Sequence, residues 1–230
     1  MITIVYERLG TIVFWLVFLV VCYITLALLV HIPSLLRPTI IPYPWPLMKE
    51  KEDIKVALAG SYNPPHRGHL AMLLYLSKRY RHVLAILGVN PRKQYPVSPE
   101  TRAALLRKML QEADVTNVNV QVVQGYIWRS AKRQGVRLFF RGIRSWSQDG
   151  REERHLQVLN TWGPLLYGPL VWPIPTRYLE GKPEYNHVSS TLVRDITGRK
   201  DDAPETALQQ LVPDCVVQDI TRLYGSIKES

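Results

Sequence analysis

Two histidines three residues apart, His66 and His69, sit inside the stretch Gly60 to His69, G-S-Y-N-P-P-H-R-G-H. The residue types suit phosphate chemistry. Gly60 and Gly68 let main chain approach a ligand closely, and Pro64 and Pro65 stiffen a turn. The apolar run Leu70 to Tyr80, free of Gly and Pro, reads as a helix whose first amides and positive dipole end face an anion. Both imidazoles can point at one spot across the turn into that helix, where a protonated ring would stabilise charge developing on a phosphate. A bare H-x-x-H pair reads more readily as a β-to-α turn with two surface histidines; the ten-residue string is far more specific.

Other apolar runs also end in polar groups. After His82 to Val89 comes Asn90-Pro91-Arg92-Lys93, and a lysine just beyond a buried strand can hold an acceptor phosphate and a transferred phosphate side by side; a solvated loop lysine is the alternative. After Val136 to Phe140 comes Arg141-Gly142-Ile143-Arg144, two planar forks flanking an accessible amide. Near the C-terminus, His187-Val188-Ser189-Ser190-Thr191-Leu192-Val193-Arg194 puts three hydroxyls at a helix start, where they cap the helix or hold a nucleotide phosphate.

The elements that must position these groups alternate. Ile54 to Ala59, His82 to Val89, Val118 to Val123, Val136 to Phe140 and Leu170 to Ile174 read as strands. Between and after them, helices are predicted over Leu70 to Tyr80, from the Ser98 cap and Pro99 through Ala103, Leu105, Leu106, Met109 and Leu110, over Trp128 to Gln134, over Arg151 to Asn160, and from Ser190 to Thr197 into the C-terminal end. Such alternation predicts an α/β fold, a Rossmann-like, doubly wound parallel sheet with ligands at the strand C-terminal ends.

This domain spans 54–230. Before it, 37–53 carries four prolines and reads as an extended tether, with Tyr43 and Trp45 available to a lipid interface. Within residues 1–36, Ile12 to Val30 is uncharged and at ~1.5 Å per residue spans about 28 Å, so a single transmembrane helix is expected. Arg37, Lys49, Lys51 and Lys55 follow it and Arg8 alone precedes it, which places the large C-terminal part in the cytosol or a topologically equivalent organelle matrix.

The net charge is +10 over 230 residues, nearly all of it after residue 50, and favours anionic partners. No nucleic-acid-binding signature is present, so small phosphates rather than nucleic acid are expected. Two cysteines, Cys22 and Cys215, build neither a disulfide framework nor a metal site, and no metal-ligating set is expected.

The string Gly60 to His69 resembles the H-x-G-H signature of the nucleotidylyltransferase superfamily. With Asn90 to Lys93, Arg141 to Arg144 and Val188 to Arg194 in the same order and near the same spacing, the chain resembles phosphopantetheine adenylyltransferase over nearly all of 54–225. The resemblance implies transfer of AMP from ATP to 4'-phosphopantetheine, giving dephospho-coenzyme A and pyrophosphate, with Mg2+ accompanying ATP. It implies catalytic roles for His69, His66 and Lys93. ATP contacts fall on Ser61, Tyr62, His69, Gly142, Ile143, Arg144, Glu153 and the loop Tyr185, Asn186, His187, Val188, Ser189, Ser190 and Thr191. Acceptor contacts fall on Ser61, Lys93, Ile127 and Arg141. The family's usual hexamer leaves a homo-oligomer as an open expectation.

Ser145 to Glu153 is one residue longer than the family's run. The G-S-Y-N-P-P-H form, the V-S-S-T-L-V-R segment and Leu211-Val212-Pro213-Asp214 also resemble nicotinamide or nicotinate mononucleotide adenylyltransferases. Those acceptors, CTP with a lipid headgroup precursor, and an inactive membrane-held nucleotide-binding scaffold are the alternatives.

Overall fold

Six parallel strands carry the site in a computed structural model, which describes residues 2–90, 95–168, 170–198 and 204–225. Helix α1 (Ile2–Leu36) leads to strand β1 (Thr39–Ile41) and then to β2 (Glu52–Gly60), α2 (Arg67–Arg79), β3 (Tyr80–Val89), α3 (Pro99–Glu112) and β4 (Val118–Gln124). There follow α4 (Ile127–Arg133), β5 (Leu138–Ile143), α5 (Trp146–Leu166), β6 (Thr176–Glu180), a single 3-10 turn at Pro183–Tyr185, α6 (Ser190–Gly198), α7 (Pro204–Leu211) and α8 (Asp214–Gly225). The strand order is β1-β6-β5-β2-β3-β4, every pair parallel.

The central strands split their side chains between two buried faces, as a parallel sheet covered on both sides requires, whereas the short edge strand β1 has no buried residue. Val56 and Leu58 face a core with residues of α2, α3, α6, α7 and α8; Ala57 and Ala59 face a smaller core with Trp128 and Ala131 of α4 and with Ile174. The chain leaves β2 for β3 on one side, whereas β5 pairs the other edge of β2. A crevice therefore opens at the C-terminal ends of β2 and β5, where such sheets bind ligands.

Five sequence expectations change. Leu170 to Ile174 is not a strand: Pro173 and Pro175 lack the amide that a ladder needs, and pairing passes to Thr176–Glu180. Strand β5 runs on through Arg141, Gly142 and Ile143, which pair with Tyr178, Leu179 and Glu180, so these residues are the strand end itself. Helix α5 starts at Trp146, capped by Ser145, whose side chain accepts from the Gln148 amide at 3.3 Å. The proline-rich segment is not a free tether, because β1 adds to the sheet beside β6. Nor does Trp45 face lipid: it is 8% exposed, its Nε1 donates to the Glu180 carbonyl at 2.9 Å, and its ring lies on Tyr75 at 5.0 Å.

Among the described residues one helix, Tyr6–Leu36, is long and apolar enough to cross a membrane. Its last turns rest on the domain. Ala27 and His31 are buried, and the rings of Tyr23 and His31 lie 5.7 and 5.6 Å from that of Trp172.

Candidate active site

Apolar β2 delivers the loop 61–66 to the crevice, and α2 begins immediately after it, with His66 as its N-terminal cap residue. The two imidazoles meet there, ring centroids 3.7 Å apart, with the ring of buried Tyr62 4.8 Å from His69. The His66 amide donates to His69 Nδ1 at 3.3 Å, which leaves the His69 proton on Nε2 in the neutral ring. Burial pushes the His66 imidazole down to about 3, and burial, then His66 and Arg141, hold His69 well below the ordinary value. The expected protonated imidazole is thus not the form these surroundings favour, since burial disfavours charge on both rings. Nδ1 of His66 is buried without a partner.

The loop carbonyls are gripped from behind. Arg102 of α3 donates to the Ser61 carbonyl at 2.5 Å, Arg194 of α6 to the Asn63 carbonyl at 2.5 Å, and Ser190 to the Pro64 carbonyl at 2.8 Å. Tyr224 of α8 donates to the Asn63 side-chain oxygen at 2.8 Å. Prolines at 64 and 65 remove two amides from this loop, so helices on one face of the sheet supply the donors that its carbonyls need. Ser190 therefore spends its proton on the loop, while Ser189 caps α6 by accepting from the Leu192 amide at 3.1 Å. The same helix start carries Val188 into the core and leaves Asn186, His187 and Thr191 exposed, with Tyr185 beside Gly68.

Across the crevice, Arg141 forms a bidentate pair with Glu153: Nε to Oε2 at 2.8 Å and Nη2 to Oε1 at 2.6 Å. Its Nη1 donates to the Ala59 carbonyl at 2.5 Å. These bonds occupy three of the five guanidinium N–H groups and leave one on each Nη. Glu153, expected as a nucleotide contact, is 7% exposed with both oxygens on Arg141, because α5 starts five residues earlier than expected and carries residue 153 on its buried side. Arg144 is half exposed and pairs with Asp149 at 2.5 Å. Gly142 is exposed at the strand end, over Met72 of α2, while the Ile143 side chain is buried. Ile127 starts α4 and lies against Gly88, where an added Cβ would come within 2.7 Å of its Cδ1. Lys93 lies outside the described residues.

Sequence reasoning missed Arg102. Its signal was present: 102, 105, 106, 109 and 110 form one helical stripe, and a charge on an apolar stripe needs a partner. The side chain is 1% exposed and lies 4.6 Å from the Tyr95 ring centre. Asn63 and Tyr224 had no such signal.

The cytidylyltransferase-like family profile matches residues 57–196. Phosphopantetheine adenylyltransferase of Rubrobacter xylanophilus is 31% identical over 166 residues, covering 72% of this chain and 92% of that protein. The enzyme of the same name from Bifidobacterium longum is 30% identical over 158 residues, 69% of this chain and 87% of that protein. Among solved structures, nicotinic acid mononucleotide adenylyltransferase of Plasmodium falciparum, complexed with NaAD, superposes with TM-score 0.52 at 11% identity, covering 74% of this chain and 96% of that one; it shares the fold.

Proposed function

Since the chain belongs to the nucleotidyltransferases of the cytidylyltransferase-like family, and among them to the phosphopantetheine adenylyltransferases, we propose that it transfers AMP from ATP to 4'-phosphopantetheine and releases pyrophosphate. The observation that carries this reading is the convergence of the paired histidines, the N-terminus of α2 and Arg141 on the crevice between β2 and β5.

An oxygen of the acceptor phosphate attacks the α-phosphorus of ATP. A bond forms there as the bond to the bridging oxygen breaks, and pyrophosphate leaves. The attacking group is already anionic, so no side chain must take its proton; the protein contributes position and charge stabilisation. His69 Nε2–H donates to an oxygen of the α-phosphate, and the first amides of α2 add the helix-end field. A triphosphate beside the imidazoles favours their charged form, opposing the burial that disfavours it. Arg141 offers its two remaining N–H groups to the acceptor phosphate, and Lys93 joins it there. Ser61 and Ile127 complete the acceptor side. Tyr62 backs His69; Gly142, Ile143 and Arg144, with the loop 185–191, flank the nucleotide, Ile143 through its main chain. Glu153 acts through Arg141.

Mg2+ enters as the counter-ion of the triphosphate. Among the described residues no three His, Cys, Asp or Glu side chains converge to hold a cation, so its ligands would be phosphate oxygens and water. Helix α1 crosses a membrane and holds the domain on the cytosolic or matrix side, and a homo-oligomer belongs to the same proposal.

The test uses the full chain in detergent micelles with Mg2+ and ATP, and phosphopantetheine, nicotinamide mononucleotide or nicotinate mononucleotide in separate wells, plus phosphocholine with CTP. Pyrophosphate released only with phosphopantetheine supports the reading. Release with another acceptor keeps the chemistry and reassigns the substrate; silence from folded protein in all wells leaves the scaffold alternative.

A further inference from the structure

A buried line of polar side chains runs from the end of α1 to the crevice. The carbonyl of Ser34 is among the last four of its helix and has no intrahelical partner to come. Gln157 of α5 supplies one, its Nε2 donating to that carbonyl at 3.1 Å. The other end of the same amide, Oε1, accepts from the Tyr178 hydroxyl at 3.1 Å, and that hydroxyl also lies 3.4 Å from the Glu153 carbonyl. Turning the amide over would set oxygen against the Ser34 carbonyl, so its orientation follows from its two partners together. Tyr178 is the register partner of Arg141 across β5 and β6, its ring wedged edge-on against Trp146 at 5.0 Å. Glu153 then clamps Arg141 with both carboxylate oxygens. Tyr178, Gln157 and Glu153 are 0, 3 and 7% exposed. Apolar side chains would cover this part of α5 without the desolvation cost of an amide, a phenol and a carboxylate, and buried polar groups that each find a partner specify one arrangement.

We infer that Gln157 and Tyr178 are positioning residues that tie Arg141 to the end of α1, so that the seating of the anchor helix on α5 sets how well the crevice holds a phosphorylated acceptor. The inference rests on the adenylyltransferase reading for the identity of the acceptor; for the coupling it rests on the hydrogen bonds, on Gln157 and Glu153 lying one turn apart on α5, and on the register of Tyr178 with Arg141. Coupling is reciprocal: whatever loosens Arg141 also loosens the end of α1.

The test takes the full chain in lipid nanodiscs as wild type, Gln157→Leu and Tyr178→Phe, the second so conservative that folding is retained if the first fails. Both variants raise the KM for phosphopantetheine roughly 5- to 20-fold while the KM for ATP stays within about twofold. Equal rises in both KM values, or an unchanged acceptor KM in folded protein, overturn the inference. Hydrogen exchange in residues 27–36 supplies an arm without turnover: Glu153→Gln at the far end accelerates it at least about threefold, and unchanged exchange overturns the coupling. Wild-type protein silent with phosphopantetheine sinks the acceptor assignment, and exchange then decides the coupling alone.

Discussion

Replacing Arg102 by Met should separate folding from catalysis. The guanidinium is 1% exposed, donates to the Ser61 carbonyl at 2.5 Å and lies over Tyr95 at 4.6 Å. Losing the charged hydrogen bond costs about 1.5–3 kcal/mol and losing the ring contact about 0.5–2 kcal/mol. Against this, the buried charge and its partnerless Nε carry a desolvation penalty of several kcal/mol that a methionine of similar volume does not. The two sides nearly cancel, so at ~2–4 °C per kcal/mol for a chain of this size the melting temperature moves by no more than about 4 °C. Turnover responds differently. The Ser61 carbonyl loses its anchor, the motif loop shifts, and a displacement of about 1 Å at a reacting centre costs on the order of a hundredfold. Arg102→Lys recovers part of this, since a point charge can reach the carbonyl without the planar stack. Thermal unfolding by tryptophan fluorescence and pyrophosphate release, both on the full chain in detergent, read the two effects. Turnover within threefold of wild type would refute the idea that α3 positions the loop; a melting temperature lowered by more than about 10 °C would make Arg102 a structural residue.

His69→Ala removes the Nε2–H donor, and kcat should fall by about 10²–10³ or more with the melting temperature unchanged or higher; a fall below tenfold in steady-state kinetics takes this ring out of the chemistry. Acid stability should depend on His66. Its pKa is about 3 in the fold against 6.5 for the free side chain, so the unfolded chain binds more protons between those values, and stability present above pH ~6.5 is lost as pH falls, by up to ~1.4 kcal/mol per unit. His66→Asn keeps a capping residue without that titration, and denaturant midpoints at pH 7, 6 and 5 should decline less steeply; parallel declines reject the assignment. Gly142→Ala would drive a methyl onto Met72 Sδ, with Met72 Cε only 2.8 Å away; these atoms end a flexible side chain that can swing aside, so the cost should be no more than about 1 kcal/mol. Combination with Met72→Ala should be non-additive by about 1 kcal/mol in urea melts, and strict additivity would show that the close approach is relieved elsewhere.

Local chemistry made much of this protein legible. Ser98 and Pro99 start α3 as their types require, with the Thr101 amide on the Ser98 hydroxyl at 3.1 Å, and the string 60–69 joins a strand to a helix. Alternating apolar runs were enough for a parallel α/β sheet, because burial on both faces leaves its mark in the central strands. The misses lie where a distant partner decides. Strand β5 extends through Gly142 because β6 offers it a ladder, and Leu170 to Ile174, apolar enough, is excluded by prolines at the register where amides are needed. Trp45 sits in an unremarkable proline-rich stretch until the Glu180 carbonyl and the Tyr75 ring receive it. Glu153 and Arg141 were each legible as ligands for a substrate, yet their mutual pairing depends on the path of α5 over the strand end. Protonation of His66 and His69 follows from what excludes water around them, a property of packing. Residue types and spacing thus determined which groups could handle phosphate and which elements carry them. Only the tertiary structure decided which of those groups face the crevice, which are held by one another, and that Gln157 bridges the Ser34 carbonyl of α1 and the Tyr178 hydroxyl of β6, since hydrogen-bond partners and desolvation are set by neighbours far away in the chain.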